Sequence, residues 1–262
     1  MDGRIDPFES PKLLLARALD GINDFEAQVI AFAENSSWTQ GGEYNPENGE
    51  TRMFLTLQSR IPGNTRVLAS EIVNNLRHVL DQAVTAASHE LGSTSVKKTY
   101  FPFAKSKAGL PAQIKYRCKD VPAELIPHLL SYGPSRDGDA ELWALGHMAG
   151  PNKHQMILAV DVNIESIHIV RGKVKGATFG HFGYDKAKRE LNLGRLKPGG
   201  RFSCPDLLIP IEVVLGPTDV VGGQGAAVVF RSFAAKVGAI LRGIEAETAR
   251  LLSLRPKPAA NL

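Results

Sequence analysis

The sequence predicts an α+β fold in which long helices form the core and a small antiparallel β-meander packs beside them. The first observation is that apolar residues recur at helical spacing in three long stretches: 10–35, 65–91 and 230–254. The second is that apolar and polar residues alternate, as in half-buried strands, at 51–60 and through much of 165–217. The third is a proline-rich middle, which excludes long helices there.

Length and composition predict one compact unit. The 262 residues are 43% hydrophobic, enough to bury a large core, and no internal repeat or heptad array appears. We therefore predict a single α+β domain over residues 1–254 and a disordered tail over 255–262. Because no apolar run approaches the roughly 20 residues that span a bilayer, and no leader-like segment opens the chain, we expect a cytoplasmic protein with no membrane partner.

Charge and cysteine content narrow the classes of function. The 31 Lys and Arg residues outnumber the 27 Asp and Glu residues, which gives a net charge of +4. This mild excess could help attract a polyanion, but it does not establish that the protein binds one. Cations interleaved with aromatic residues are densest in two regions: 97–119 and 173–201. Cys118 and Cys204 lie far apart, with no His or Cys beside them at ligand spacing, so we expect no metal site and no cofactor.

The N-terminal part is predicted to form a helix, a loop and a strand. Ser10 and Pro11 favour a helix start, and the amphipathic pattern ends near Asn35. The Gly- and Asn-rich segment up to Glu50 is typical of a loop. The alternation in TRMFLTLQSR, at 51–60, then predicts a strand.

The longest helix signal runs from about Thr65 to Leu91 and has two distinct faces. Apolar residues cluster on one side, whereas polar residues form a coherent stripe on the other. The stripe comprises Glu71, Asn74, His78, Asp81 and Thr85, with Arg77 and Gln82 at its edges. Because Asn and His are poor helix formers, this composition favours a site over a merely solvated face.

The middle of the chain is predicted to be rich in loops, with short helices notably over 112–119 and 123–132. Three β-rich segments precede the last helix: 165–183, 189–196 and 206–217. Pro210, within the third segment, indicates an edge strand or a bulge. Consecutive strands of this kind predict the meander.

A break is predicted in the helix that begins near Asp139. Gly150 and Pro151 interrupt the helical pattern, and a second helical run is predicted over 152–160. This break would place Asn152, Lys153 and His154 together at a helix N-terminus. There, the local positive potential can keep an imidazole neutral and available as a base near pH 7.

Arg77 and Asp81 lie at i,i+4 on the long helix, and Asn74 precedes Arg77 by three, so the three side chains can meet. One interpretation is an exposed ion pair worth about 0.3–0.5 kcal/mol. The other is a functional site, which a pairing of Arg77 with His154 would support. We interpret His147, near the second motif, as an ordinary helix residue.

The two motifs resemble those of a widespread group of uncharacterised bacterial proteins. EIVNNLRHVLDQA and, about 70 residues later, NKHQMIL are similar to that group's patterns H-N-L-R-x-A-L-D-H and D-K-H-R. The order of helices and strands along the chain is similar too. Asn152 and Gln155 depart from the pattern, because the group often has Asp and Arg at these positions.

The first motif also resembles the R-x4-H element of HEPN domains, helical modules that often cleave RNA without a metal ion. The resemblance implies a HEPN-like helical core, a homodimer with a composite site, and Arg77 as the phosphate-binding residue. In such chemistry an imidazole transfers protons while Arg stabilises the charged transition state. Here Gln82 occupies the His position, and its amide cannot exchange a proton at neutral pH. His78 or His154 would have to supply the imidazole.

Three hypotheses remain open. The first is a metal-independent endoribonuclease in which Arg77 and His154 are catalytic. Its binding residues would be Asn74, His78, Asp81, Gln82 and Lys153. The second is a non-catalytic module that binds RNA, a nucleotide or a partner protein through the same residues. The third is a structural polar network of Arg77, Asp81, His154 and Asn74 that holds two helices together.

Overall fold

The computed structural model describes residues 6–152, 157–180 and 183–255. These ranges contain six α-helices: α1 (Glu9–Glu34), α2 (Gly63–Glu90), α3 (Leu110–Arg117), α4 (Ile126–Ser131), α5 (Ala140–Asn152) and α6 (Ala226–Ser253). The three long helices and the two short ones occur where the sequence predicts them, with ends shifted by a few residues. The fold is thus mixed α and β, as predicted, with helices forming its largest part.

The long helices α1, α2 and α6 pack against one another around the largest buried side chains. Phe25 of α1 meets Phe230 of α6 edge to face, with ring centroids 5.3 Å apart. Ile72 and Leu76 of α2 are fully buried in the same core. Gly92, at φ +82°, follows the end of α2, where a residue with a Cβ would be strained. Within the described ranges, no helix has both the length and the apolar character to cross a bilayer.

The predicted break at Gly150 and Pro151 is wrong. Helix α5 continues through both residues and ends at Asn152, while residues 157–159 are irregular and a strand begins at Val160. Val160, at the end of the predicted second helix, instead begins a strand that pairs with a distant strand. Asn152 therefore lies at the C-terminal end of a helix and not at an N-terminus, while Lys153 and His154 lie outside the described residues.

Seven strands form two antiparallel sheets in the described part of the chain. They are β1 (Trp38–Tyr44), β2 (Thr51–Leu57), β3 (Val160–Asn163), β4 (His168–Thr178), β5 (Tyr184–Asp185), β6 (Glu190–Leu208) and β7 (Glu212–Leu215). The larger sheet has the order β1-β2-β6-β4, with β5 also on β6, and β3 pairs with β7 separately. The antiparallel pairing is as predicted. The plain meander is wrong, because β2 from the N-terminal part pairs with β6.

Two segments near the strands differ from the prediction. Strand β1 lies in the predicted loop, where its Gly-rich sequence hides the strand signal. Gly41 is opposite Phe54 of β2, and a Cβ at Gly41 would collide with the Phe54 ring, so the glycine makes room for it. The third β-rich segment is two strands, because Pro210 falls in the link between β6 and β7 and not within a strand.

Candidate functional site

Arg77 carries a buried charge in the middle of α2. The residue is only 7% exposed. Its Nε donates to both carboxylate oxygens of Asp81, at 3.2 and 3.4 Å, and its Nη2 donates to Oδ1 at 3.3 Å. A buried charge needs such a partner, and the i,i+4 spacing supplies one on the same helix face. The pair is therefore largely desolvated, unlike the exposed ion pair considered from the sequence.

Asp81 also fixes the segment that follows α2. Its Oδ1 accepts a hydrogen bond of 2.9 Å from the backbone N–H of Phe101. At the far end of this segment, the N–H of Ala104 donates to the carbonyl oxygen of Pro134 at 3.0 Å. Held at both ends, the segment places the Phe103 ring against Arg77, with Cζ of Arg77 4.1 Å from the ring centroid.

A glycine in α5 makes room for Phe103. A Cβ at Gly146 would lie 2.5 Å from the Phe103 ring, closer than two carbon atoms can approach. Because the clashing atoms include Cγ, which cannot swing away like the tip of a long side chain, the ring would have to move. The close approach of α5 to the segment around Phe103 therefore depends on Gly146.

Arg77 and Asp81 open onto a cavity of about 660 Å³ between α2, α3, α5 and the segment around Phe103. Its lining comprises Arg77, Asp81, Tyr100, Phe103, Ala104, Lys105, Gln113, Arg117, Trp143, Gly146, His147, Ala149, Gly150 and Asp219. Three of these side chains are Arg or Lys and two are Asp. Since Arg77 and Asp81 neutralise each other, the exposed cations Lys105 and Arg117 set the charge of the cavity, against Asp219 alone.

Two aromatic rings line the same cavity and form its aromatic wall. The rings of Trp143 and His147, one helical turn apart on α5, are stacked with centroids 4.7 Å apart and planes 12° apart. The guanidinium of Arg136 lies 5.6 Å from the Trp143 centroid and pairs with Asp219 at 3.8 Å. Trp143 is buried and His147 is exposed, so the imidazole is the part of the stack that solvent reaches.

A second pocket lies on the other side of Asp81. This pocket, of about 380 Å³, is lined by His78, Asp81, Gln82, Thr85, Val96, Thr99 and Tyr100. Gln82 is tied to the start of α1, because its Oε1 accepts a hydrogen bond of 2.7 Å from the Ser10 hydroxyl. Thr85 and Thr99 share a hydrogen bond of 2.8 Å. Residues of the predicted polar stripe thus line two pockets.

The predicted site residues are only partly brought together. Arg77 and Asp81 line the larger cavity, whereas His78 and Gln82 line the smaller one with Asp81. Asn74 is half-buried, and its Oδ1 has no hydrogen-bond partner among the described residues. Lys153 and His154 lie outside the described residues, so their relation to Arg77 stays a prediction.

Sequence reasoning did not assign the other half of the larger cavity. Lys105 and Arg117 belong to the cation-rich region at 97–119, which was a visible signal with no stated partner. Trp143 and His147 stand at i,i+4 on α5, a spacing that also occurs in ordinary helix faces. Nothing in the local sequence indicates that these two segments meet Arg77.

Cys118, which follows the cavity residue Arg117 in the chain, is unsuited to act as a nucleophile. Its thiol is buried and donates to the carbonyl oxygen of Tyr100 at 3.1 Å. Burial, helped by the negative charge of Asp81, raises the pKa of the Cys118 thiol to about 11. The thiolate is therefore scarce at neutral pH. Among the described residues, no three His, Cys, Asp or Glu side chains form a group that could hold a metal ion.

The fold and the cavity define a mixed α and β protein with a cationic, aromatic-lined cavity at its helical core. Comparisons with family models, with curated proteins and with solved structures give no match for this chain. The functional argument therefore rests on the chemistry of the cavity.

Asp81→Asn is expected to destabilise the fold. The change leaves Arg77 with no carboxylate in a buried position, and hydrogen bonds to charged groups are worth about 1.5–3 kcal/mol. The free energy of unfolding should fall by about that amount in urea denaturation. Asp219→Asn, the same change at an exposed cavity residue, is the control and should cost less than about 0.5 kcal/mol. Equal effects of the two changes would contradict the role given to Asp81.

Cys118 is expected to react slowly with iodoacetamide, and only at high pH. In a Cys204→Ser variant, so that Cys118 is the one remaining thiol, alkylation should rise steeply only above about pH 9. Because the folded-state pKa is raised, the thiol favours folding below its unfolded pKa, and this stability is lost as pH rises towards 11. The same protein in denaturant should react readily at pH 8. Rapid alkylation of the folded protein near pH 7 would contradict this assignment.

Proposed function

We propose that the protein binds RNA at the cavity lined by Arg77. The observation that carries the proposal is the combination of a fixed, buried guanidinium with exposed cations and an aromatic wall in one cavity. Phosphate groups are recognised by Arg through planar, paired hydrogen bonds. Unstacked bases are recognised by stacking on aromatic side chains and guanidinium planes. Single-stranded RNA supplies both groups at once.

The orientation of Arg77 supports this proposal. Asp81 occupies the edge of the guanidinium formed by Nε and Nη2, and Phe103 covers one of its faces. The remaining nitrogen, Nη1, donates to no described residue. Arg77 itself lines the cavity. A guanidinium held in this way has little conformational entropy left to lose, so a phosphate that reaches it binds a preorganised donor.

Binding is better supported than cleavage. Gln82, at the position of the HEPN histidine, lines the smaller pocket and cannot exchange protons at neutral pH. Among the described residues that line the larger cavity, His147 is the one imidazole. A HEPN-like endoribonuclease reaction would therefore draw its proton transfer from His147 or from the predicted His154. The HEPN-like core and the homodimer belong to the same proposal.

A second candidate function is supported by the bond from Asp81 to Phe101. In this alternative the protein is a non-catalytic interaction protein, and Arg77, Asp81 and His154 form a structural polar network. The carboxylate of Asp81 accepts hydrogen bonds from both Arg77 and the Phe101 N–H, so it joins two segments of the chain. The two candidates differ in what Lys105 and Arg117 do, because neither cation takes part in that network.

The double variant Lys105→Gln/Arg117→Gln is expected to weaken RNA binding without changing the melting temperature. Both side chains are exposed and form no ion pair with a described residue, so the fold does not depend on them. Removing charge-assisted hydrogen bonds worth about 1.5–3 kcal/mol should raise the Kd for a labelled single-stranded RNA at least about tenfold. Fluorescence anisotropy measures this change.

The matched control is Arg17→Gln/Arg242→Gln, which also removes two positive charges, but from exposed positions on α1 and α6. It should leave the Kd within about twofold. If both double variants bind RNA like the parent, the cavity is not the binding site, and a large drop in the melting temperature of Arg77→Ala then favours the structural network.

Catalysis has its own test. The parent, His147→Ala, His154→Ala and Arg77→Ala are incubated with labelled RNA without added metal, and thermal melts are recorded in parallel. General acid–base catalysis contributes about 10²–10⁴-fold to the rate. If His147 or His154 transfers the proton, its alanine variant should therefore cleave more slowly by that factor at an unchanged melting temperature. RNA binding without cleavage by the parent would identify a binding protein and reject the endoribonuclease.

A further inference from the structure

The β4–β6 ribbon extends beyond the rest of its sheet. Strand β2 pairs with β6 only as far as Leu196, opposite Thr51. Further along β6, residues 201–208 pair with β4 alone. Every residue of β4 from His168 to Gly176 is exposed. We define the ribbon as residues 168–178 and 195–208.

The two faces of this ribbon differ in chemistry. Lys173 is opposite Ser203 and Lys175 is opposite Arg201, and directly opposed residues point to the same side. Val174, opposite Phe202, points to the other side, where Phe202 is half-buried and packs against the hydrophobic core. The three cations therefore face away from the core, on a surface that solvent reaches.

The ribbon contains more than the whole net charge of the protein. It has six Lys and Arg residues and one acid, Asp206, a net charge of +5, whereas the full chain carries +4. The remaining residues thus carry a net charge of −1. The ribbon is thus one of two strongly cationic parts of the chain, the other being residues 97–119, which contain seven Lys and Arg residues and no acid.

Most of these cations have no carboxylate partner in the part of the chain that the structure describes. Arg171 pairs with Asp206 at 2.7 Å and Arg195 pairs with Glu50 at 3.3 Å. The other four form no ion pair with a described residue: Lys173, Lys175, Lys197 and Arg201. Like charges directly opposite each other, as Lys175 and Arg201 are, destabilise a strand pair. A bound polyanion would remove that repulsion.

We infer that the cationic face of the β4–β6 ribbon binds the phosphate backbone of an RNA strand. Residues two apart on one strand face are about 6.8 Å apart, so Lys173 and Lys175 form a regular row of charge, with Arg201 beside it. The choice of RNA rests on the proposed function, whereas the contact with a polyanion rests on the ribbon itself. A lipid surface is disfavoured, because Val174 and Phe202, the apolar residues between these cations, point to the opposite face of the ribbon and cannot insert on the cationic side.

The test is the salt dependence of RNA binding by Lys173→Gln/Lys175→Gln/Arg201→Gln. For single strands, each phosphate that the protein neutralises contributes about −0.7 to the slope of log K against log salt. Loss of three such contacts should therefore make the slope less negative by about 2. The control Arg17→Gln/Arg66→Gln/Arg242→Gln removes three exposed charges elsewhere and should keep the parental slope. A charge-conserving variant, Lys173→Arg/Lys175→Arg/Arg201→Lys, should keep it as well.

The outcomes separate this inference from the proposed function. A parental slope in the ribbon variant overturns the ribbon contact, and the cavity is then judged by Lys105→Gln/Arg117→Gln alone. A reduced slope in the ribbon variant, with no effect of the cavity variant, supports the ribbon and rejects the cavity. If the ribbon variant no longer binds phosphatidylserine vesicles but keeps the parental RNA slope, the partner is a membrane surface and the inference is wrong.

Discussion

The buried charge of Arg77 is the constraint on which the candidate site depends. A guanidinium removed from water needs a carboxylate, and Asp81 supplies it one helical turn further along α2. Because the same carboxylate accepts the Phe101 N–H, the charge that neutralises Arg77 also positions the following segment. That segment places Phe103 over Arg77, and Gly146 leaves the space which the ring needs. The Arg77–Asp81 pair of α2 thus positions residues 101–104, and these residues pack against α5 through Phe103.

The spacing of the motif explains why the site is divided. Residues five apart on an α-helix lie about 140° apart around its axis, so Arg77 and Gln82 point into different pockets. Asp81, between them, borders both. An R-x4-H motif on one helix does not by itself bring its two side chains into one cavity. Among the described residues, α5 supplies the imidazole that shares a cavity with Arg77, which is His147.

Local patterns predicted the long helices well, because a periodicity of 3.6 residues can be recognised within a short stretch of sequence. They failed where distant segments decide the outcome. Strand β1 is Gly-rich and polar and gains its structure from pairing with β2. A helix is predicted as far as residue 160, yet Val160 begins β3, which is completed by β7 about 50 residues away. The burial of Arg77 could not be predicted either, because a residue at the edge of a polar stripe becomes buried only when another element covers it.

The two sets of cations differ in the physics of what they can do. Arg77 is desolvated and fixed by Asp81, so it acts at hydrogen-bond range and distinguishes ligands by geometry. The ribbon cations are solvated, and their field extends over a Debye length of about 8 Å at physiological ionic strength. This long-range field can attract a polyanion to the ribbon, where contact with the phosphate backbone is independent of base identity. Salt should therefore weaken this first encounter more than the contact at Arg77. Under the proposed RNA-binding function, the exposed element would determine how often RNA arrives, and the buried pair would determine which part of it stays.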